Sequence, residues 1–167
     1  MSLPINGAAS VFSFSGATQA TTASHTLVFD KTGYDYANIY LLVGTHITSE
    51  GNLETIKLVE HSSTTVATNM TDIVAFNGGT ETSSSVGFVI PADSITGEST
   101  VIEFQVDLRK REKKIALIAT NSLSTMVFSS FAVLSRGDES KDTAALKSTV
   151  TIHSNTDVTN VAKIVTG

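Results

Sequence analysis

The sequence predicts an all-β fold: an antiparallel β-sandwich, jelly-roll-like, in one domain with extended N- and C-terminal segments. Three observations predict it. Short stretches of alternating apolar and polar residues recur every dozen residues or so, the period of a half-buried strand. Gly, Ser, Asn and Pro signals separate them, as turns require. No amphipathic helical pattern longer than two turns interrupts the series, which is the signature of a sandwich or jelly roll.

Residues 1–24 are rich in Ser, Thr, Ala and Gly, with Val11, Phe12 and Phe14 as the bulky apolar cluster. They are read as an N-terminal arm or a first edge strand, against the alternative of a poorly ordered terminus. Residues 25–140 form the sandwich core. A short strand over 25–29 runs into the turn Asp30-Lys31-Thr32-Gly33, where Gly is free to take positive φ. Ala37, Ile39, Leu41 and Val43 then alternate into a strong strand; Tyr40 and Leu42 on its other side mark it as central. A loop over 44–51 precedes a strand over 53–61, with Ile56 and Leu58 inward and Lys57 and Glu60 outward.

Residues 66–75 read as a weak strand or two, with Asn69 and Asp72 exposed, and Phe76-Asn77-Gly78-Gly79-Thr80 as a turn by composition. A strand over 86–90 stops at Pro91. The stretch 101–120 reads as a central β-hairpin: Ile102, Phe104, Val106 and Leu108 alternate with Glu103, Gln105 and Asp107, a cationic turn follows, and residues 115–119 are almost wholly apolar. Residues 125–135 read as a long strand whose phase shifts at Ser129-Ser130, the mark of a β-bulge. Residues 141–167 are read as a C-terminal strand and arm: Val150 and Ile152 alternate with Thr and His, while Val158, Val161, Ala162 and Val165 fit either helical spacing or, by β-branching, an extended segment.

Bulk composition narrows the function. At 167 residues one domain is expected, able to bury a core without staples. There are no cysteines, so there is neither a disulfide framework nor a thiolate metal site, as fits synthesis in a reducing cytoplasm. Residues 1–29 carry no Lys or Arg and no long apolar run, so no secretory signal is expected, and no membrane span. Charged residues are 16% of the chain while Ser and Thr number about 45. Hydroxyl polarity costs less to desolvate than ions do, which suits surfaces built for lasting contact, though ordinary sandwiches share it. A net charge of −5 argues against nucleic acid or an anionic membrane as partner.

Five of the eleven cations, Arg109, Lys110, Arg111, Lys113 and Lys114, fall in one turn. One reading is contact with an acidic partner surface, since Arg can fork two hydrogen bonds to a carboxylate. Nucleic acid would want interleaved aromatics, which are missing. The third reading is a solvated tip whose charges discourage edge pairing, or one held within the chain by Asp107 pairing with Arg109 or Arg111.

No cofactor or metal is expected. His25, His46, His61 and His153 lack ligand spacing and read as surface or strand residues. The segment 30–35 lacks the spacing and terminal Glu of a calcium loop, and Asp138, Glu139 and Asp142 make at most a weak cation cluster. Arg136-Gly137-Asp138 reads as a turn. Nucleophile-elbow, phosphate-loop and zincin motifs are absent, so no enzyme is expected.

Val106-Asp107-Leu108-Arg109-Lys110-Arg111, the apolar strand after it and Ala132-Val133-Leu134-Ser135-Arg136 resemble a group of small proteins encoded in tailed-bacteriophage structural modules. Gly33-Tyr34-Asp35-Tyr36-Ala37 and Phe76-Asn77-Gly78-Gly79-Thr80 also fit, so the resemblance spans roughly residues 25–140. It implies a β-rich virion structural protein of the capsid decoration (cement) type. Such a protein is made in the host cytoplasm, binds the outer surface of the major capsid protein shell and acts as a homo-oligomer, trimer or dimer, at a capsid symmetry axis. The expected contact residues are the five cations of the turn together with Val11, Phe12 and Phe14. The alternative is a carbohydrate- or host-surface-binding module of a head fibre or tail. It needs an aromatic platform, for which there is no Trp and only Tyr34, Tyr36 and Tyr40 as tyrosines.

Overall fold

A computed structural model describes residues 9–14, 24–43, 53–79, 88–89, 100–121, 127–136, 148–154 and 160–165. In chain order the strands are β1 (Ala9–Phe14), β2 (Ser24–Asp30), β3 (Tyr36–Val43), β4 (Leu53–His61), β5 (Thr71–Asp72) and β6 (Gly78–Gly79). There follow β7 (Phe88–Val89), β8 (Thr100–Asp107), β9 (Lys114–Asn121), β10 (Phe128–Ser135), β11 (Ser148–Ser154) and β12 (Asn160–Val165). Two 3-10 turns, Ala67–Asn69 and Val74–Phe76, flank β5.

The strands make two sheets. One has the order β1-β10-β3-β8-β11-β12; the other runs β2-β9-β4-β6-β7, with β5 also on β4. Every pairing is antiparallel except the short contact of β6 with β7. Alternation explains the layering. In β3 and β10 every second residue is buried, and those inward residues meet their counterparts from the other sheet in one core. Leu27, Ile56, Leu58 and Leu117 of the second sheet join Ile39, Leu41, Phe104 and Phe128 of the first. The result is all-β, two sheets packed over one apolar layer.

The central hairpin expected over 101–120 is not one. β8 lies in the first sheet and β9 in the second, so the connection between them is a crossover from sheet to sheet. The two strands differ physically. β8 turns Glu103, Gln105 and Asp107 outward, whereas β9 carries Ala116 and Ile118 on its outer side, packed with Val59 and Met70 beneath the segment after β4. An outer face covered by chain can be apolar; one facing water alternates. The link from β2 to β3 crosses in the same way, and the two crossovers are laced together. The Lys31 N–H donates to the Lys113 carbonyl at 3.0 Å, and the Leu108 N–H to the Asp35 carbonyl at 2.7 Å. Gly33, at φ +86°, makes the first crossover's turn.

Other expectations are corrected. β10 pairs with both β1 and β3 without a register shift, so Ser129-Ser130 is no bulge. Ser130 takes an inward position because His25 hydrogen-bonds to it there. The turn expected over 76–80 is not seen as such: Phe76 ends the second 3-10 turn, is wholly buried and meets Phe104 edge to face, 6.1 Å between ring centroids, and Gly78–Gly79 are β6. The weak strands expected over 66–75 are two 3-10 turns around the two residues of β5.

The described parts of both terminal segments are strands of the chain's own sheet. β1 pairs along β10, and β12 folds back on β11, which pairs with β8. The extended reading of the C-terminal segment holds for β12, and the helical one does not. At one flank β1 lies beside β2, and at the other β12 lies beside β7.

Candidate functional site

Two regions gather the side chains that sequence reading singled out. The first is the crossover end. Asp107 takes Arg109 in a forked contact, Nη2 to Oδ2 at 2.7 Å and Nε to Oδ1 at 3.0 Å, and also accepts the Arg109 backbone N–H. The fork forms because Asp107 ends β8 and the chain turns back over it at Leu108, whose carbonyl accepts the Arg111 N–H. Arg109 holds the Asp107 carboxyl below the usual carboxylate range, against the opposing pull of burial.

Arg111 faces Glu60 at 3.7 Å, and Glu60 also accepts the Glu112 N–H at 2.8 Å. Lys114 and Lys113 both reach Asp30, at 2.8 and 3.8 Å. Lys31 donates through its Nζ to the Leu108 carbonyl. Four of the five turn cations therefore have a carboxylate within the chain. Lys110 is exposed, with no ion pair among the described residues. The intramolecular reading of the turn is the arrangement seen, with Asp30 and Glu60 as partners beyond the Asp107 that sequence singled out. A cationic surface is thereby reduced to Lys110, the half-exposed Lys113 and the outer part of Arg109.

The second region is the outer face of the first sheet. Strand pleating puts Tyr36, Asn38, Tyr40 and Leu42 of β3 on it, between Ser129, Phe131 and Val133 of β10 and Val101, Glu103, Gln105 and Asp107 of β8. Register sets the rows: Phe131, Tyr40 and Glu103 lie side by side, as do Val133, Asn38 and Gln105. The Tyr40 hydroxyl donates to Glu103 Oε1 at 3.0 Å, and Gln105 Nε2 to the same oxygen at 3.3 Å. Burial chiefly raises the Tyr40 phenol above its ordinary value. The rings of Tyr40 and Phe131 stack, centroids 4.7 Å apart and planes 21° from parallel. Cross-strand neighbours are spaced by about the same distance, so both rings stand upright from the sheet instead of lying flat on it.

The other two tyrosines also have a ring face engaged. The Arg109 guanidinium sits 5.2 Å over Tyr36 and that of Arg136 5.9 Å over Tyr34, an ordinary cation–π distance. No flat aromatic platform of the kind a sugar ring stacks on is present among the described residues.

Val11, Phe12 and Phe14 lie on β1, where they pair across from Ala132, Phe131 and Ser129. β1 runs along the flank, so the structure does not bring these three and the cationic turn into one cluster. His25 is buried in β2, and His61 caps the turn after β4, its Nδ1 accepting the N–H groups of Ser63 and Thr64 at 3.0 and 3.1 Å. His46, Asp138, Glu139 and Asp142 lie outside the described residues, as does most of the Arg136-Gly137-Asp138 tripeptide. Among the described residues no group of His, Cys, Asp or Glu could hold a metal ion, and no helix is long and apolar enough to cross a membrane.

Comparison with protein-family models, with curated proteins and with solved structures finds no match to this chain. What stands is the class: an all-β protein of two packed sheets, one of which carries aromatic, aliphatic, amide and hydroxyl groups with Glu103 and Asp107 on the outer side of β10, β3 and β8.

Proposed function

We propose that this chain is a non-enzymatic virion structural protein of the capsid decoration type, binding the outer surface of a major capsid protein shell and stabilising it. The observation that carries the reading is the outer face of the first sheet. Across β10, β3 and β8 it offers aromatic, aliphatic, amide and hydroxyl groups and only two carboxylates, Glu103 and Asp107, each already hydrogen-bonded. Lasting protein interfaces are enriched in aromatics and depleted of charge at their centre, because such a surface is cheap to desolvate. The upright Tyr40–Phe131 pair supports a protein contact over the glycan-binding alternative, which would use ring faces.

The contact therefore centres on this face, with Lys110 and Arg109 at its margin as the cations that reach an acidic partner. Acting as a dimer or trimer at a symmetry axis, the protein multiplies modest contacts into strong attachment. We also read the sandwich as jelly-roll-like. The ribbon β2–β3 pairs antiparallel with the ribbon β9–β8, and both ribbons cross between sheets at the same end.

The test is association with capsids assembled without this protein. The wild-type chain is expected to bind them and raise their resistance to heat. Leu42→Glu, at a position 37% exposed, is expected to keep its thermal midpoint and lose at least ten-fold in capsid affinity. A wild-type protein that neither binds such capsids nor alters their heat or pressure resistance overturns the reading.

A further inference from the structure

Among the described residues the interior holds two buried polar side chains, His25 and Ser130, and they face each other. His25 is on β2 in the second sheet and Ser130 on β10 in the first, and Nε2 lies 2.7 Å from Oγ. The imidazole also stacks on Phe128 of β10, 5.9 Å between centroids. This is a polar tie across an otherwise apolar seam, 3% and 2% exposed at its two ends. It sits at the flank where β1 closes over β2 and β10.

We propose that the His25–Ser130 pair is an acid-sensitive latch that holds the β1–β2 flank of the sandwich closed at neutral pH and releases it when the imidazole takes up a proton. The surroundings carry the argument. β1 reads Ala-Ser-Val-Phe-Ser-Phe and β10 Phe-Ser-Ser-Phe-Ala-Val-Leu-Ser, with no ionisable group in either. On β9 the cross-strand neighbour of His25 is Ala119, and the ionisable residue there is Lys114 at the far end, paired with Asp30, the other ionisable group of β2. Among the described residues a protonated His25 thus has a hydroxyl as partner and no carboxylate to balance its charge. Ser130 can accept a hydrogen bond from the cation but cannot neutralise it, so the ion is stable only where water reaches it.

The sign follows from linkage. Burial lowers the His25 pKa, so the open state binds the proton more tightly than the closed one. The latch is fully closed above the ordinary histidine value of about 6.5 and weakens as pH falls below it. The opening equilibrium therefore rises as pH falls below that value. Opening this flank bares one edge each of β9 and β10, rows of backbone groups free to pair with another strand.

The proposal is independent of the decoration reading and is tested on the purified protein. In a histidine NMR titration, His25 is expected to titrate below the ordinary histidine value of about 6.5; titration at or above that value overturns the proposal. In hydrogen exchange corrected for intrinsic rates, amides of 24–30 and 128–131 are expected to lose protection between pH 7.5 and 5.0 by at least ten-fold more than those of β4 and β8. His25→Gln keeps a hydrogen-bonding amide without a titrating group and is expected to abolish that difference. Uniform loss across all strands, or pH dependence that survives in His25→Gln, overturns it.

Discussion

Asp30 and Lys114 are cross-strand partners at the ends of β2 and β9, and the ammonium reaches Oδ2 at 2.8 Å. The same carboxylate accepts the Thr32 N–H at 2.8 Å and the Thr32 hydroxyl at 2.6 Å. One side chain thus closes the β2–β9 ladder and shapes the first turn of the crossover.

These contacts, Lys114 first and then Thr32, hold the Asp30 carboxyl well below the usual carboxylate range. A depressed pKa means that the folded state binds the proton less tightly than the unfolded one. The stability it contributes is present above about pH 4 and lost as pH falls below that value. Asp30→Asn is therefore expected to lower the thermal midpoint at pH 7, with the gap from wild type narrowing as pH is taken below 4. Calorimetry across pH 2–7 checks it; a gap independent of pH refutes the assignment.

Glu60 acts at a distance in sequence, binding the second crossover through the Glu112 N–H and the Arg111 guanidinium. Glu60→Ala leaves both donors without this acceptor, a loss of about 1–3 kcal/mol. The expected result is a lower urea midpoint with faster exchange of the Glu112 amide. Lys110→Ala, exposed in the same turn, is expected to stay within about 0.5 kcal/mol of wild type.

Gly33 sets a second, local requirement. A Cβ there would meet Arg136 Nη2 at 3.5 Å, an ordinary contact, so space is not limiting. The φ of +86° is what limits substitution; L-residues pay about 1–2 kcal/mol for it. Gly33→Ala is expected to lose that amount in denaturant unfolding, and Gly33→Asn less, because Asn tolerates the left-handed region better.

Phe76 anchors the segment after β4 into the core against Phe104. Truncation to Ala is expected to cost about 3–5 kcal/mol. The urea midpoint measures it, and a change under 1 kcal/mol would mean that the 3-10 turns are not docked as described.

Much of the fold was legible because it rests on alternation. Ile39-Tyr40-Leu41-Leu42-Val43 and Ile102-Glu103-Phe104-Gln105-Val106 show inward and outward positions directly. Two kinds of information were not local. Alternation does not say which sheet a strand joins, and a charged turn after β8 looks the same whether the chain reverses or crosses over. The apolar outer side of β9, Ala116 and Ile118, was the available signal, since two neighbours in one open sheet share an outer environment. Polar core positions were the other gap. Ser130 broke the hydrophobic pattern of β10 because its reason for being inward, His25, lies on another strand. In the same way the cations of the turn were plain in the sequence, but Asp30 and Glu60 reach them only through the pairing of β2 and β4 with β9. The Tyr40–Phe131 stack depends wholly on register.

The placement of β1 has a consequence for biosynthesis. Among the described residues its strand partner is β10, so the apolar Val11, Phe12 and Phe14 leave the ribosome long before the strand with which they pair. Ladders between such remote segments close late, after a large loop entropy has been overcome. During that wait an apolar, unpaired segment is the part of the nascent chain most prone to aggregate, and a chaperone that shields the first fifteen residues would raise the yield of folded protein.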